Sequence, residues 1–453
     1  MREVISGIEQ QLAEPTAKGL AGAVSRAVRE GTLAAGDRLP PIRDLARELA
    51  LSPTTVSAAW ALLVRSGTIE TAGRRGTRVA DPRQPRDGRY RQALEHQTAF
   101  ALDLSTGIPD AALLPSLDRA VRQLTTAGTP ASYLDEPVLP ELLDVLAATW
   151  PYPAPTLTVV DGAMDGLELV IRTALRYGDR VVVEHPTFPP LVDLLEAAGV
   201  EAAGVRLDEE GIVPQELESA LEQPAQALFL QPRAHNPTGT STTPRRARAL
   251  GRLLGRLPSA AELLVVEDDS ANAISTSPDV SLGTLLPGRT VHVRSFSKSH
   301  GPDLRLAAMS GPEELMASVR HLRQLGQGWS SRLLQRLLVG LLTDERTRAE
   351  VAAAREEYAR RRTRFVERLS EQGVPTVGTD GLNVWVPVHD EAAALMRLAS
   401  LGIGVAPGAP FAVLPEGTQH VRVTVGLVGE RLEHVADEVA RAARTGGRRA
   451  GAR

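Results

Sequence analysis

The chain has 453 residues, of which 43% are hydrophobic and 23% are charged, enough for two or three packed domains. A formal net charge of −4 gives no whole-chain signal for nucleic acid or membrane binding, and the absence of cysteine excludes disulfides, thiolate metal sites and a cysteine nucleophile. Neither a signal-peptide pattern nor an apolar run of ~18 residues is present, so we expect a soluble, cytoplasmic protein.

Residues 1–80 have the pattern of a small helical domain that ends in a hairpin. Apolar residues keep helical spacing over 18–29 and 42–50, and Pro53 and Thr54 begin another helix after a short break. Two short helices about a tight turn predict a helix-turn-helix, whose second helix can lie in the DNA major groove. Two strands are then expected at 68–71 and 77–79, joined by the basic segment AGRRG.

The charge of this region favours binding to double-stranded DNA. It carries 11 Lys plus Arg against 8 Asp plus Glu, an excess of +3. Contacts to phosphates and bases are expected from Arg43, Ser52, Thr54, Thr55, Ser57, Arg74, Arg75 and Arg78. The alternative is an ordinary helical hairpin with solvated arginines, but the turn, second helix and basic hairpin follow one another in the order that a DNA reader needs.

Residues 36–79, GDRLPPIRDLARELALSPTTVSAAWALLVRSGTIETAGRRGTRV, resemble the GntR-type winged helix-turn-helix. The resemblance implies that Arg43, the start of the second helix and the tip of the wing contact an operator. Pro53 and Ser57 stand where arginine is common in some relatives, so the operator sequence is not implied. Residues 81–100 are polar, rich in arginine and broken by proline and glycine, which predicts a linker.

Apolar runs alternate with amphipathic helices from residue 101 to about residue 324. Strands are expected at 157–160, 180–184, 200–206, 227–231, 263–267 and 291–295. This alternation predicts an α/β domain with a mostly parallel sheet, in which ligands bind at the carboxyl ends of the strands.

Polar and aromatic residues follow these strands in order. Gly162 and Ala163 open a helix whose free N–H groups could cradle a phosphate, and Phe188 could stack on a planar ring. Asn236 follows another strand, and a buried Asp268 could pair with a protonated ring nitrogen. Taken singly, each has an ordinary explanation as a helix entry, core residue, turn or helix cap. Their common position at strand ends favours a cofactor site.

Lys298 is one of two lysines in the chain, the other being Lys18, so 49 of the 51 Lys plus Arg residues are arginine. A lysine retained against this bias suits a position that needs a nucleophilic amine. Ser295, Ser297 and Arg305 surround it with hydroxyls and a cation. This set fits an aldehyde cofactor that carries a phosphate. The alternative is a surface lysine in a serine-rich loop.

Residues 101–445 resemble the fold type I aminotransferases, which bind pyridoxal 5'-phosphate (PLP). The matching residues are Tyr133 in YLDEPVLPEL, Gly162, Phe188 in HPTF, Asn236 in HNPTG, Asp268, Lys298 in SFSK, Arg305 and Arg422 in HVRVTV. The resemblance implies a large lobe and a small lobe, the latter at about 325–445, with residues 446–453 as a disordered tail. No metal site is expected.

The same resemblance implies a role for each matching residue. Lys298 would form the Schiff base, Asp268 would pair with the pyridine nitrogen, Asn236 would donate to the ring oxygen, and Phe188 would stack on the ring. The phosphate would be held by Ser295, Ser297, Arg305, Gly162 and Ala163, with Tyr133 reaching the neighbouring subunit and Arg422 binding an effector carboxylate. Ser270 and Val138 depart from the family pattern, which usually has an aromatic phenol and a glycine there.

The complete chain resembles the MocR/GabR family of regulators, in which a GntR-type reader is joined to an aminotransferase-like body. The resemblance implies a homodimer, commonly head-to-tail, that senses PLP or an adduct of PLP with a small amino compound. The segments RSFSKSHGPDLRLA and DGLNVWVP are most similar to members that respond to vitamin B6. Two alternatives remain: a working aminotransferase with a DNA-binding appendage, and a PLP carrier or structural dimer whose helix-turn-helix binds nothing.

Overall fold

The structure is a computed structural model that describes residues 2–12, 14–29, 31–65, 68–71, 76–80, 88–89, 91, 100–122, 124, 132, 135–415 and 418–446. The chain forms two compact units. The first contains residues 1–88 and two short later segments, 175–180 and 192–202, and the second contains the remaining residues up to 453. The linker and tail expected from the sequence lie almost entirely outside the described residues. In the described ranges, no helix combines the length and the hydrophobicity needed to cross a bilayer.

The first unit has the predicted winged helix-turn-helix fold. Its described elements are α1 (Arg2–Gln11), α2 (Ala17–Arg29), α3 (Ile42–Glu48), α4 (Pro53–Arg65), β1 (Ile69–Thr71) and β2 (Thr77–Val79). One core holds the apolar faces of α2, α3 and α4, including Leu20, Leu45 and Trp60. The two strands are antiparallel, with Ile69 opposite Val79. The helix α1 is an addition that the sequence patterns did not indicate.

The large lobe of the second unit is built on an eight-stranded sheet in the order β4-β11-β10-β9-β8-β5-β6-β7. The strands are β4 (Leu157–Val160), β5 (Arg180–His185), β6 (Glu201–Asp208), β7 (Gly211–Ile212), β8 (Ala227–Leu230), β9 (Leu264–Asp269), β10 (Thr290–Ser295) and β11 (Ala307–Ser310). The central strands β5, β8, β9 and β10 are parallel, as predicted. The strand β11, which was not predicted, is antiparallel to both β10 and β4.

Helices cover this sheet and lead to the small lobe. They are α5 (Asp118–Arg122), α6 (Pro140–Ala148), α7 (Ala163–Ala174), α8 (Pro189–Ala197), α9 (Pro214–Ala220), α10 (Pro244–Arg256), α11 (Glu313–Gln324), α12 (Arg332–Thr343), α13 (Glu345–Glu371), α14 (Glu391–Ser400) and α15 (Leu432–Ala443). The long helix α13 buries Val351, Tyr358 and Phe365 on one side, together with Arg361 and Arg362, and exposes several other charged residues on the opposite side. Such a two-faced helix follows from its apolar spacing.

The small lobe contains a four-stranded sheet in the order β12-β14-β13-β3. Its strands are β3 (Leu102–Leu104), β12 (Asn383–Val388), β13 (Ile403–Pro407) and β14 (Gln419–Thr424). The strand β3 is parallel to β13, with Leu102 opposite Ile403. The lobe therefore includes residues that precede the large lobe, which the predicted range of 325–445 leaves out. A three-residue strand has too little periodicity to be detected in a sequence.

Candidate functional site

Lys298 lies in the turn that follows β10 and is half-buried. Its Nζ donates a hydrogen bond to the Ser270 Oγ, at 3.1 Å. Burial lowers the pKa of Lys298, and the positive charge of Arg422 lowers it further, while the negative charge of Asp268 opposes both. A lowered pKa increases the fraction of neutral amine, which is the nucleophilic form.

Asp268 is a buried carboxylate with one engaged oxygen and one free oxygen. Gln231 Nε2 donates to Asp268 Oδ2 at 2.7 Å. The other oxygen, Oδ1, is buried and has no hydrogen-bond partner among the described residues. Burial raises the pKa of Asp268. An unsatisfied buried acceptor is costly, and a cationic N–H placed against it would remove that cost.

Asn236 and Arg422 are joined by a hydrogen bond of 3.2 Å from Arg422 Nη1 to Asn236 Oδ1. Asn383 Nδ2 donates to the same oxygen at 3.3 Å, so the amide NH2 of Asn236 is the group left to donate elsewhere. Arg422 is 1% exposed and also donates through Nη2 to the Ser105 carbonyl. Gly107 has φ +69 and allows a close backbone approach, because a Cβ there would lie 3.3 Å from Arg422 Nη1.

Gly162 and Ala163 form the N-terminal end of α7, and the Arg305 guanidinium lies against them. Arg305 Nη2 donates to the Asp161 carbonyl at 3.2 Å, and a Cβ at Gly162, whose φ is +106, would lie 2.8 Å from that same nitrogen. Arg305 has no ion-pair partner among the described residues. A cation at the positive end of a helix is unfavourable alone and favourable once an anion binds between them.

The structure describes most of the other residues predicted for this site. Ser295 ends β10, and the Ser297 N–H donates to the Ser295 Oγ at 3.3 Å. Phe188 lines a small cavity together with Asp268 and Gln231. Tyr133 lies outside the described residues. The structure thus brings Lys298, Asp268, Asn236, Phe188, Arg305 and Arg422 to the strand ends of one lobe and the facing strand of the other.

Sequence reasoning missed the polar chain behind Asp268. The backbone N–H of Gln231 donates to Glu184 Oε2 at 2.7 Å, and Gln231 Oε1 accepts from the Asn236 N–H at 2.6 Å. Burial raises the pKa of Glu184 and lowers the pKa of the adjacent His235 to about 3. Gln231 is the residue directly after β8, so its position at a strand end was the available signal.

In the first unit, most of the described DNA-binding candidates are exposed. Arg43 lies on α3, and Thr54 and Ser57 lie on the first turns of α4, while Arg78 is in β2. Thr55 is half-buried, and the Ser52 Oγ accepts its backbone N–H at 3.0 Å. Ser52 therefore caps α4, a structural task that the sequence analysis did not assign to it. Arg74 and Arg75 lie outside the described residues.

Arg43→Ala is expected to weaken DNA binding by about tenfold and to reduce the slope of log affinity against log salt by about 0.9, the loss of one phosphate contact. Fluorescence anisotropy with promoter DNA at several salt concentrations measures both. Arg47→Ala is the matched control, because Arg47 is exposed on the same helix but is paired with Asp44 at 3.2 Å. Equal losses in the two variants would contradict a specific role for Arg43.

Known families and relatives agree with this two-part structure. Residues 101–439 match the family Aminotransferase class I and II, and residues 16–79 match Bacterial regulatory proteins, gntR family. The chain is 36% identical over 423 residues to the "Vitamin B6 salvage pathway transcriptional repressor PtsJ" of Salmonella typhimurium, which covers 92% of this chain and 95% of that protein. The chain belongs to the MocR/GabR family of transcriptional regulators.

Further comparisons of this MocR/GabR regulator agree. It is 28% identical over 363 residues to the "HTH-type pyridoxine biosynthesis transcriptional regulator PdxR" of Corynebacterium glutamicum, with 77% of each chain covered. Its body has the fold of a multiple substrate aminotransferase from Thermococcus profundus, with a TM-score of 0.71, 20% identity, and coverage of 80% of this chain and 96% of the other. The predicted fold and the predicted class of regulator are confirmed, and whole-chain similarity to regulators does not favour an enzyme with a DNA-binding appendage.

Two departures from the aminotransferase pattern are explained by the structure of this MocR/GabR regulator. Ser270 occupies the position where a phenol is usual, and its hydroxyl instead accepts from Lys298. Val138 is buried in the apolar cluster around α6 and α12, so its larger side chain serves packing. Neither change removes a side chain that the site otherwise brings together.

Proposed function

We propose that this regulator captures PLP at Lys298 and that capture changes how its first unit binds DNA, so that genes of vitamin B6 metabolism respond to PLP supply. The names of its relatives from Salmonella typhimurium and Corynebacterium glutamicum refer to vitamin B6 salvage and pyridoxine biosynthesis, which supports this assignment. A ligand can shift such an equilibrium only if it binds one arrangement of the protein better than the other.

The free oxygen of Asp268 is the observation that carries the proposal. This oxygen is buried and has no hydrogen-bond partner in the part of the chain that the structure describes, and a lysine amine of lowered pKa lies near it. The pair fits a ligand with a cationic ring nitrogen and an aldehyde. Arg305 over Gly162 supplies the anion site that a phosphate requires. When bound, PLP supplies an aldehyde for the amine and an electron-withdrawing ring.

Different residues of the chain would hold different parts of PLP. Asp268 would hold the ring nitrogen and the Asn236 amide would donate to the ring oxygen, while Phe188 would cover the ring face. The phosphate would be held by Arg305, Ser295, Ser297 and the amides of Gly162 and Ala163. The buried Arg422 would bind the carboxylate of an amino compound that acts as an effector, exchanging its bond to Ser105 for one to the ligand.

We also propose that the working form is a homodimer, head-to-tail, in which Tyr133 of one subunit completes the phosphate site of the other. Sedimentation equilibrium of the full chain measures the oligomeric state. Tyr133→Phe should weaken PLP binding only in a dimer, so a monomer with full PLP affinity would contradict this part of the proposal.

The proposal is tested by titrating the full-length protein with DNA from its own promoter region, with and without PLP. We expect PLP to be taken up and to change the DNA affinity by at least about fivefold, the low end of typical allosteric coupling. Uptake without any change in DNA binding, or no uptake, would count against it. Sustained transamination of common amino acids at ordinary enzyme rates, on the order of 1 s⁻¹ or more, would instead support the aminotransferase alternative.

Arg305→Gln is expected to weaken binding of PLP by about 100-fold while leaving binding of pyridoxal, which lacks the phosphate, nearly unchanged. The reason is that Arg305 is the side-chain cation at the Gly162 cradle. Absorbance titrations with the two vitamers give the ratio of affinities. A parallel loss for both vitamers would show that Arg305 supports the fold rather than the phosphate.

A further inference from the structure

A second cavity, distinct from the PLP site, lies behind the turn that carries Lys298. Its volume is about 480 Å³, within the range of small-molecule pockets. Phe296 and His300, which precede and follow Lys298 by two residues, form part of its wall. Asn272, another wall residue, donates through Nδ2 to the Ser295 carbonyl at 2.9 Å. Residues of the Lys298 turn therefore border this cavity, although Lys298 itself does not line it.

The charges around this cavity are mostly positive. Arg233, Arg294, Arg348 and Arg355 line it, against the single lining carboxylate of Asp279. The His300 imidazole adds no charge at neutral pH, because burial lowers its pKa to about 4. The cavity thus has an excess of cationic groups that its own lining does not neutralise.

Two of these arginines are buried and share one acid. Asp279 lies 3.4 Å from Arg233 Nη2 and 3.3 Å from Arg294 Nη2. Arg233 has a second and closer partner in Asp269, at 2.5 Å. Arg294 has no second carboxylate within ion-pair distance among the described residues, and its buried Nε has no hydrogen-bond partner there. Arg294 is 4% exposed, and its Nη1 and Nη2 already donate to the side chain and carbonyl of Thr149. Among the described residues, Nε is the part of this buried guanidinium without a partner.

The other two arginines lie on one face of α13. Arg348 and Arg355 are seven residues apart, which is two helical turns or roughly 10 Å along the axis. Between them on the same face lie Val351 and Ala352, so the wall is apolar in the middle and cationic at both ends. Neither arginine has an ion-pair partner among the described residues, although several other arginines of this helix are paired with Glu357 or Asp437.

The remaining walls supply hydroxyl groups and apolar surface. Thr149, Ser275 and Thr276 line the cavity beside the apolar side chains of Leu146 and Leu342. Asp380 accepts from the Thr276 N–H at 2.9 Å, which fixes this loop in place. Cations, hydroxyl groups and an apolar middle are the features of a site for an anion that is attached to an apolar body.

We infer that this cavity is a second ligand site, which binds a small organic phosphate or carboxylate with an apolar body. Its anionic group would lie at one cationic end of the cavity, and its body would lie against Val351 and Phe296. Binding requires no reaction at Lys298, so the inference stands apart from the proposed function.

The test uses the full-length protein after incubation with PLP and borohydride, so that the first anion site is filled, with phenyl phosphate as the probe in calorimetric titration. We expect saturable binding of one phenyl phosphate per chain. The double variant Arg348→Gln/Arg355→Gln should lose at least tenfold in affinity. The matched control is Arg346→Gln, an exposed arginine of α13 that does not line the cavity, and it should bind like the unaltered protein.

The outcomes separate this inference from the proposed function. The mass of the protein after borohydride reports on PLP capture before any probe is added, and its failure would concern the proposed function alone. The comparison of the double variant with Arg346→Gln is valid whether or not PLP is fixed. Arg346, Arg348 and Arg355 all belong to α13, and none of them is proposed to hold PLP. Absence of phenyl phosphate binding, or equal binding by the double variant and the control, would overturn the inference. So would a dimer in which a second copy of the chain fills the cavity and excludes the probe.

Discussion

Lys298→Ala is expected to abolish covalent capture of PLP and to weaken PLP binding by on the order of 100-fold or more, since the amine that reacts with the aldehyde is gone. The effect of PLP on DNA binding should disappear with it, while DNA affinity without PLP stays the same. After PLP and borohydride, mass spectrometry of the unaltered protein should find the adduct at position 298. The variant should show none.

The scarcity of lysine makes this experiment unusually clean. Lys18 is the other lysine in the sequence, so Lys18→Ala is a complete control for reaction at lysine side chains. That variant should retain the adduct at Lys298 and the response to PLP. An adduct that persists in Lys298→Ala at the level of the unaltered protein would refute the site, however well the protein binds DNA.

Asp268→Asn should weaken PLP binding by about 10- to 100-fold and at the same time stabilise the PLP-free protein by about 1 kcal/mol. The asparagine keeps the shape but cannot supply the negative charge that a cationic ring nitrogen requires. In the PLP-free protein it removes a buried charge whose Oδ1 has no hydrogen-bond partner among the residues that the structure describes. Urea unfolding and PLP titration measure the two effects, which should have opposite signs.

The pH dependence gives a further check on the same variant. Burial raises the pKa of Asp268, so the folded protein binds this proton more tightly than the unfolded chain does. This tighter binding of the proton contributes favourably to the free energy of unfolding. The contribution is complete below the unfolded pKa of about 3.9 and is lost as pH rises through the raised folded pKa. The stability advantage of Asp268→Asn over the unaltered, PLP-free protein should therefore grow between acidic and neutral pH.

The adjacent Asp269 is a matched control with the opposite expectation. Burial also acts to raise the pKa of Asp269, but Arg233, 2.5 Å away, and the other neighbouring positive groups together outweigh burial and lower this pKa. Asp269→Asn should cost about 3 kcal/mol, because a buried guanidinium loses its nearest partner. If both variants lost stability, Asp268 would be a structural residue rather than one reserved for a ligand.

The site residues that could be predicted from the sequence are chemically distinctive side chains that follow predicted strands. Lys298, Asp268 and Asn236 each come at or just after an apolar strand, and neighbouring parallel strands end at one edge of the sheet. These residues lie close together because of the topology of the parallel sheet. The alternation of predicted strands and helices in the sequence indicates that topology. The DNA-binding unit was predictable for a similar reason, since its helices and hairpin are consecutive in the chain.

The residues that were missed depend on contacts between distant parts of the sequence. The position of Gln231 after an apolar strand is the one signal in the sequence, and its hydrogen bond to Asp268 exists only once β8 and β9 are paired. Ser105 and Gly107 reach Arg422 through β3, whose partner strand begins at Ile403. The left-handed backbone of Arg305, with φ 47, also has no signal in its residue type. Local periodicity does not encode these long-range relations.

The position of β3 has a consequence for how an effector could act. Starting from the DNA reader, the polypeptide enters the small lobe first, at Leu102, and only afterwards passes into the large lobe. The carbonyl of Ser105, one residue beyond β3, accepts from the same guanidinium that would receive an effector carboxylate. An effector that took Arg422 away from Ser105 would therefore release a contact made by the stretch of chain that leads from the DNA reader into the two lobes.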